Sequence, residues 1–334
     1  MKTLYRVIGV SSLAVLFFLG LTQGSEAQVI QMKFAHYAEE SHPGHVAAKQ
    51  FAAKVEERTQ GKVKIAIYPA NTLGSPPEQV EQVRLGATDM SLPTQGALDK
   101  YVKAFSVVML PFVYDNYDHV HRTLDGPSMN WFSPLAEKEG FVVLSNWEWG
   151  FRNLTNSKRP VNKPEDVKGL KIRVPPEIQL QAAMEALGGI VTKIAFPELY
   201  MALAQNVVDA QENPIAVIYH NKFYEVQKNL ALTGHVYNNM VHVIGVKSWA
   251  KLTPEQQKIF GEESKAAGAY MRKAIMAEEA DQIVKMEKAG VKVTRPDLGL
   301  FRAAMGPAYE RIGKYAGEDN VKIFMKFVEE ARKK

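Results

Sequence analysis

A chain of 334 residues is long enough for two domains of ordinary size, each with a substantial core. Its composition, 46% hydrophobic and 23% charged, excludes an intrinsically disordered protein, and the absence of cysteine excludes disulfides, thiol catalysis and cysteine-ligated metals. The formal net charge is +5, but Lys and Arg are interspersed with acidic residues, so no nucleic-acid-binding surface is predicted.

The first 27 residues predict a secretory signal peptide. Lys2 and Arg6 precede an apolar run over 7–21, and Ser25 and Ala27 supply small residues for cleavage before Gln28. The run is shorter than the roughly 20 residues that a membrane-spanning helix needs, which favours cleavage over an uncleaved anchor. We therefore expect a mature protein that functions outside the cytoplasm.

Strand and helix patterns alternate over the first 150 residues. The predicted strands are 31–34, 62–68, 89–92 and a buried strand over 141–144 that runs on towards Gly150. One helix begins at Pro43 and is stopped by Gly61. A second has the capping-box sequence Ser-Pro-Pro-Glu at 75–78 and ends at Gly86.

After Arg152 the alternation of strand and helix begins again. The predicted strands are 170–174, 209–212, 240–246 and 291–293, and the predicted shorter helices are 176–187, 197–204, one from Pro214, 301–315 and 320–331. A further capping sequence at 253–256 begins a helical pattern that extends to about Lys288, far beyond the average helix of roughly 11 residues. Such a helix can span two domains, so two α/β units around a shared crevice are predicted.

Common catalytic motifs are absent from this sequence. It contains no GxSxG, GxxxxGK[ST], GxGxxG or HExxH segment. His36, His42 and His45 come nearest to a metal cluster, but roles at the helix start or in a pocket lining are favoured for them. An enzyme without a recognised motif stays open as an alternative.

Arg173 is the polar residue whose position most clearly indicates a binding role. It lies on the opposite strand face from Ile172 and Val174, directly before two prolines that end the strand. A rigidly presented guanidinium suits bidentate capture of a carboxylate. A salt bridge to a neighbouring acid is an equally good interpretation.

Other polar and aromatic residues also fall at element ends. Arg152 lies where the chain passes from the first unit to the second, and Asn213 ends a strand, where its amide can bind a ligand oxygen or cap the next helix. Trp147, Trp149 and Phe196 can wall an apolar pocket, although core packing is the commoner role for such residues.

Several segments around these residues resemble the sequences of one protein family and occur in the same order along the chain. They are similar to the solute-binding proteins of tripartite ATP-independent periplasmic (TRAP) transporters, of the dicarboxylate-binding (DctP) type. The main matching segments are GFRNLTN at 150–156, GLKIRVP at 169–175, FPELY at 196–200 and DAQENP at 209–214. Shorter matches lie at 68–69, 73–74, 110–112 and 223–228.

The resemblance implies a two-lobed α/β fold like that of type II periplasmic binding proteins, with crossing strands, a hinge and one long helix shared by both lobes. The implied N-terminal lobe is 28–149 plus about 239–278, and the C-terminal lobe is 150–238 plus about 279–334. The long helix that the family fold implies agrees with the helical pattern over 253–288.

The resemblance also implies roles for individual residues. Arg173 would form the salt bridge to the ligand carboxylate, with Arg152 as a second cation and Asn213 as an amide partner. Phe196 would form an aromatic wall. The predicted ligand-binding set is Arg173, Arg152, Asn213, Phe196, Tyr37, His36, Trp149, Thr94 and Glu177.

The sequence departs from the sialic-acid-binding branch of that family. Thr94 and Ala97 stand where that branch has an acidic residue and an arginine, so sialic acid is disfavoured as a ligand. Trp147 and Trp149 are compatible with an aromatic acid, with stacking on a sugar acid, or with packing in the hinge.

The predicted function is periplasmic capture of a small organic acid and its delivery to the small and large membrane subunits of a TRAP permease. The ligand would be a C4-dicarboxylate, a sugar acid, or an aromatic or 2-oxo acid. A monomer that needs no cofactor or metal and catalyses no reaction is expected. The alternatives are a periplasmic enzyme acting on an acidic sugar and a ligand-sensing partner of a receptor kinase.

Overall fold

The computed structural model describes residues 29–333, so the predicted signal peptide lies outside the described part of the chain. The strands are β1 (Ile30–Ala35), β2 (Val63–Tyr68), β3 (Met90–Ser91), β4 (Phe141–Asn156), β5 (Lys171–Val174), β6 (Ile190–Lys193), β7 (Ala210–Pro214), β8 (Asn229–Gly245) and β9 (Lys292–Thr294). The helices are α1 (Pro43–Arg58), α2 (Pro76–Leu85), α3 (Gln95–Leu98), α4 (Tyr117–Leu124), α5 (Pro127–Lys138), α6 (Ile178–Ala186), α7 (Leu199–Ala204), α8 (Ile215–His220), α9 (Val246–Trp249), α10 (Pro254–Lys288), α11 (Leu298–Ala303), α12 (Gly306–Ala316) and α13 (Glu318–Arg332). Short 3-10 helices cover Lys103–Met109, Pro164–Val167, Phe196–Glu198 and Phe223–Glu225.

Two long strands connect the lobes of the structure. The sheet order is β2-β1-β3-β8-β4-β7-β5-β6, with β9 also paired to β8. β4 and β8 run antiparallel to each other over most of their length. One end of this pair contacts β3, and the other end contacts β7 and β9. The two lobes are therefore built on the same two crossing strands.

The sequence predicted only part of each crossing strand. β4 continues to Asn156, beyond the predicted boundary after Arg152, and β8 begins at Asn229 rather than near Met240. Both strands are buried along nearly their whole length, so they do not alternate between polar and apolar residues as a half-buried strand does. Their buried polar residues bond to side chains distant in sequence, as Asn239 does to Asn146 at 2.7 Å.

A β-bulge marks the crossing point of β4. Glu148 lies opposite Asn239 and Gly150 lies opposite Asn238, which leaves Trp149 as the extra residue. Gly150 has a φ of 116°, and a Cβ there would lie 3.2 Å from the Pro214 Cβ. The predicted lobe boundaries at 149/150 and 238/239 fall at this bulge, within the crossing strands.

Helix α10 confirms the predicted long helix. It has 35 residues, and Thr253 and Gln256 form the capping box expected from the sequence. It packs against α1, β4 and α8. A Cβ on Gly268 would lie 2.8 Å from the Asn146 carbonyl oxygen, so this glycine lets the helix approach the crossing strands closely. Within residues 29–333, no helix combines the length and apolar character needed to cross a membrane.

Trp147 belongs to this packing region and not to a pocket wall. Its side chain is fully buried, and its indole nitrogen donates to the Ser264 carbonyl oxygen of α10 at 3.0 Å. Its ring also packs edge-on against Phe34 and His242. Of the interpretations left open by the sequence, packing where the lobes join is the one that the structure bears out for Trp147.

Candidate ligand-binding site

A cavity of about 330 Å³ lies between the β3 side and the β5 side of the sheet. Eight of the nine residues in the predicted set line it: Tyr37, Thr94, Trp149, Arg152, Arg173, Glu177, Phe196 and Asn213. They come from the segment after β1, the start of α3, β4, β5, the start of α6, the 3-10 helix after β6, and β7. The topology thus brings residues separated by up to 176 positions into one lining.

Arg173 presents an unpaired cation to this cavity. Its side chain is buried, its Nε donates to the Ile194 carbonyl oxygen at 2.9 Å, and its Nη2 has no hydrogen-bond partner within the described chain. No carboxylate there lies within salt-bridge distance. Burial and the neighbouring Arg152 lower the pKa of Arg173 to about 10. The salt-bridge alternative is therefore not observed, and the guanidinium suits an incoming anion.

Arg152, unlike Arg173, is paired with a carboxylate. Its Nε and Nη2 bind the two carboxylate oxygens of Glu212 at 2.5 and 2.8 Å, and its Nη1 donates to the Asn238 side chain. Burial alone would raise the pKa of Glu212, but Arg152 and His235 hold it below its ordinary value. Arg152 lines the cavity, yet its charge is already neutralised by an internal partner.

Asn213 lies in β7 and does not cap a helix. The cap position of α8 is Pro214, whereas the Asn213 amide nitrogen donates to the Gln211 side chain at 2.6 Å. Its side chain lines the cavity together with Arg152 and Arg173. The cavity lining thus contains this amide together with two guanidinium groups.

Glu177 forms the acidic side of the cavity. Its Oε1 accepts a hydrogen bond from the Thr94 hydroxyl at 2.9 Å, while its Oε2 has no partner within residues 29–333. The residue occupies the N-cap position of α6, but its side chain makes no capping bond. Burial raises the pKa of Glu177 to about 7. Oε2 lies against Gly96, where a Cβ would be only 2.3 Å away.

Asp99 is a second acidic group in the lining, and no local sequence pattern predicts it. Its oxygens accept hydrogen bonds from Gln179 at 2.9 Å and from Tyr315 at 3.1 Å. Burial raises its pKa to about 6. The Gln179–Asp99 and Thr94–Glu177 bonds both join the β3 side of the cavity to the β5 side.

Aromatic rings form the apolar walls. The Tyr37 ring packs edge-on against Trp149 at 5.2 Å and against Phe196 at 5.7 Å between ring centroids. The guanidinium of Arg173 lies 5.9 Å from the centre of the Phe196 ring. Trp149, the bulge residue of β4, is therefore part of the cavity wall, unlike Trp147.

His36 lies outside the lining of the cavity. It is fully buried and its Nε2 lies 3.3 Å from Nδ1 of His45. His42 is the N-cap of α1, where its Nδ1 accepts from the Gly44 amide at 3.0 Å. In the described part of the chain, no three His, Asp or Glu side chains are arranged to hold a metal ion.

Several lining residues were missed from the sequence. Ser75 and Pro76 were identified only as a helix start, and Lys100 and Lys193 resembled ordinary exposed lysines. No local pattern distinguishes them, because only the folding of the chain places the start of α2 and the end of β6 at the same cavity.

Comparisons with known proteins agree on one family. The family model "Bacterial extracellular solute-binding protein, family 7" (DctP) matches residues 34–315. The 2,3-diketo-L-gulonate-binding periplasmic protein YiaO of Escherichia coli K12 is 34% identical over 87% of this chain and 90% of its own. The sialic acid-binding periplasmic protein SiaP of Vibrio cholerae is 35% identical over 81% of this chain and 85% of its own.

The fold agrees with that similarity. A solved TRAP periplasmic solute-binding protein from Polaromonas sp. JS666, bound to D-erythronate, superposes with a TM-score of 0.85 and 34% sequence identity. The match covers 89% of this chain and 98% of that one.

Proposed function

The chain belongs to the DctP family of bacterial extracellular solute-binding proteins, and on that premise we propose that its Arg173 holds the carboxylate of the small organic acid that the protein captures for a TRAP transporter. The single observation that supports this role is the buried guanidinium of Arg173, whose Nη2 has no partner in the described chain. A buried charge without a partner is costly, so an anion bound there gains its full interaction energy. Asn213 and the neutralised Arg152 would complete the binding of the carboxylate.

The similar proteins support a carboxylate ligand. YiaO, SiaP and the Polaromonas protein are named for or bound to 2,3-diketo-L-gulonate, sialic acid and D-erythronate, and each of these ligands has one carboxylate group. Sialic acid itself is not proposed here, because Thr94 and Ala97 supply neither an acidic residue nor an arginine. The cavity of about 330 Å³ is at the small end of the range for ligand pockets, which suits a compact acid.

We further propose how capture leads to transport. The crossing strands β4 and β8 would act as the hinge, the lobes would close on the acid, and the closed monomer would dock on the small and large permease subunits. The mature protein would work in the periplasm after cleavage near Ala27 and Gln28. No reaction is assigned to it, since the relatives are named as binding proteins.

A ligand screen tests this function. C4-dicarboxylates, sugar acids, 2-oxo acids and aromatic acids would each be added to the purified protein while its thermal unfolding is followed. At least one acid present far above its dissociation constant should raise the unfolding midpoint clearly. The methyl ester of that acid, which lacks the charge, should not. The proposal would fail if no acid raised the midpoint, or if the bound acid were recovered chemically changed.

Binding should also depend on pH through Glu177. The charged and titratable groups around this carboxyl group are Arg152, Asp99, Glu212, Arg173 and Tyr37. A bound anion raises the pKa of Glu177 further, so the complex takes up a proton. Affinity should therefore fall several-fold as the pH rises from 6 to 8.5, because the pKa of Glu177 is already about 7.

Isothermal titration calorimetry in buffers of different ionisation enthalpy measures both the affinity and the proton uptake. In Glu177→Gln the neutral amide cannot titrate, so most of the pH dependence should disappear. An affinity that rises with pH in the unmodified protein would contradict this prediction.

A further inference from the structure

We propose that the captured acid is a polyhydroxylated monocarboxylate and that Glu177 is the residue that selects it by binding a hydroxyl group. This inference rests on the proposed function, in which the carboxylate of the ligand lies on Arg173. It adds the chemical nature of the rest of the ligand, which separates sugar acids from dicarboxylates and from simple alkyl or aromatic acids.

The buried charges of the lining can neutralise one ligand carboxylate. Two guanidinium groups line the cavity, but the charge of Arg152 is neutralised by Glu212. Among the described lining residues, Arg173 is therefore the buried cation whose guanidinium still has a free hydrogen-bond donor. Lys100 and Lys193 also line the cavity, but both are exposed and keep their charges in water. A second carboxylate on the ligand would find no further buried cation with a free donor among the described lining residues, and it would lie near Glu177 and Asp99, which disfavours a dicarboxylate.

The free oxygen of Glu177 needs a hydrogen-bonding partner. The residue is only 7% exposed, and its Oε2 has no partner within the described chain. Asp99 does not offer the same site, because its two oxygens already accept from Gln179 and Tyr315. A ligand atom that bonds to Oε2 would remove the cost of leaving a buried polar atom unsatisfied.

A hydroxyl group is the partner that fits both protonation states of Glu177. Because the pKa of this group is about 7, it is partly protonated near neutral pH. A hydroxyl can donate to the ionised form and accept from the protonated form. An ammonium group can only donate, needs the ionised form, and would lie close to the cations of Arg173 and Arg152. A hydroxylated acid is therefore favoured over an amino acid.

The walls of the cavity suit the same class of ligand. Trp149, Tyr37 and Phe196 provide apolar surfaces, while Arg173, Asn213 and Glu177 provide polar groups. A polyhydroxylated carbon chain has C–H faces for the aromatic rings and hydroxyl groups for the polar atoms.

The test compares ligands that differ in their hydroxyl groups. Calorimetry would measure the dissociation constants of C4 to C6 aldonates, of the same acids lacking single hydroxyls, of succinate and adipate, and of homoserine. In the unmodified protein, the preferred aldonate should bind tenfold to a hundredfold more tightly than at least one of its deoxy analogues. The dicarboxylates and the amino acid should bind more weakly than that aldonate.

Substitution of Glu177 should reduce that preference. In Glu177→Ala the ratio between aldonate and deoxy analogue should fall to below about threefold, whereas the deoxy acid itself should lose little affinity. The matched control is Glu198→Gln, an exposed carboxylate near Arg173 that does not line the cavity; it should keep the full ratio. A second variant, Gly96→Ala, keeps Glu177 but displaces its carboxyl group, since the new Cβ would lie 2.3 Å from Oε2, and it should reduce the ratio as well.

The possible results separate the two proposals. If acids bind through Arg173 but a dicarboxylate, an amino acid or an unsubstituted acid is preferred, this inference is overturned and the proposed function stands. An equal loss for hydroxylated and deoxy acids in Glu177→Ala would likewise overturn it, because the residue would then act only in packing. If no acid binds the unmodified protein, the proposed function itself fails.

Discussion

Replacing Arg173 by glutamine should weaken binding of the captured acid about a hundredfold or more, because removal of one partner from a buried charge pair costs a few kcal/mol. Among the described lining residues, Arg173 is the buried cation with a free donor, since its Nη2 has no hydrogen-bond partner. Arg173→Lys keeps the positive charge but loses the planar fork, so its affinity should be intermediate. Calorimetry with the best acid from the ligand screen measures all three proteins.

The ligand-free stability of the same variant separates binding from folding. Because Arg173 has no acidic partner in the described chain, its replacement breaks no ion pair, and the unfolding free energy of the ligand-free protein should change by about 1 kcal/mol or less. Lys193→Gln is the matched control, since this exposed lysine also lines the cavity; its affinity should change less than threefold. If Arg173→Gln bound the acid as tightly as the unmodified protein, the proposed role of Arg173 would be wrong.

Replacing Glu212 by alanine should have the largest effect on stability, lowering the unfolding free energy by about 3–5 kcal/mol. Glu212 accepts from Nε and Nη2 of Arg152 and also contacts His235 at 3.2 Å, and all three side chains are buried. Its removal leaves the charge of Arg152 without its carboxylate partner in the region where β4 and β7 pair. Urea denaturation of the ligand-free protein measures the change.

A double replacement and a surface control test the cause. The variant Arg152→Met with Glu212→Leu removes both charges, so it should recover much of the stability that Glu212→Ala loses. Glu310→Gln breaks an exposed pair with Lys314 on α12 and should leave the denaturation midpoint unchanged. A small effect of Glu212→Ala, similar to that of Glu310→Gln, would show that Arg152 is not dependent on this partner.

The predicted family is confirmed, and so are most of the shorter elements. The capping boxes at Ser75 and Thr253 begin helices at Pro76 and Pro254, and the alternating pattern over 62–68 is a strand, β2. These features depend on contacts within a few residues, so they are visible in the order of the amino acids. Eight of the nine predicted site residues line one cavity, and four of these, Arg152, Arg173, Phe196 and Asn213, lie in the matching motifs.

The crossing strands and the electrostatics of the site could not be predicted in the same way. β4 and β8 contain buried polar residues that bond to distant side chains, and this removes the alternation by which a strand is recognised. The chain similarly gives no local sign that Arg152 is neutralised by Glu212, sixty positions later, while Arg173 is not. His36 resembles a binding residue by its position after β1, yet it lies outside the lining of the cavity.

The sequence by itself determined the family, the helix starts and the presence of Arg173 at the end of a strand. Only the tertiary structure decided which cation is free, which carboxyl oxygen lacks a partner, and which tryptophan faces the cavity. The physical reason is that capping and periodicity act between neighbours in the chain, whereas the state of a buried charge depends on partners that the strand register brings together. Arg152 and Glu212, joined across the β4–β7 pairing, show this most clearly.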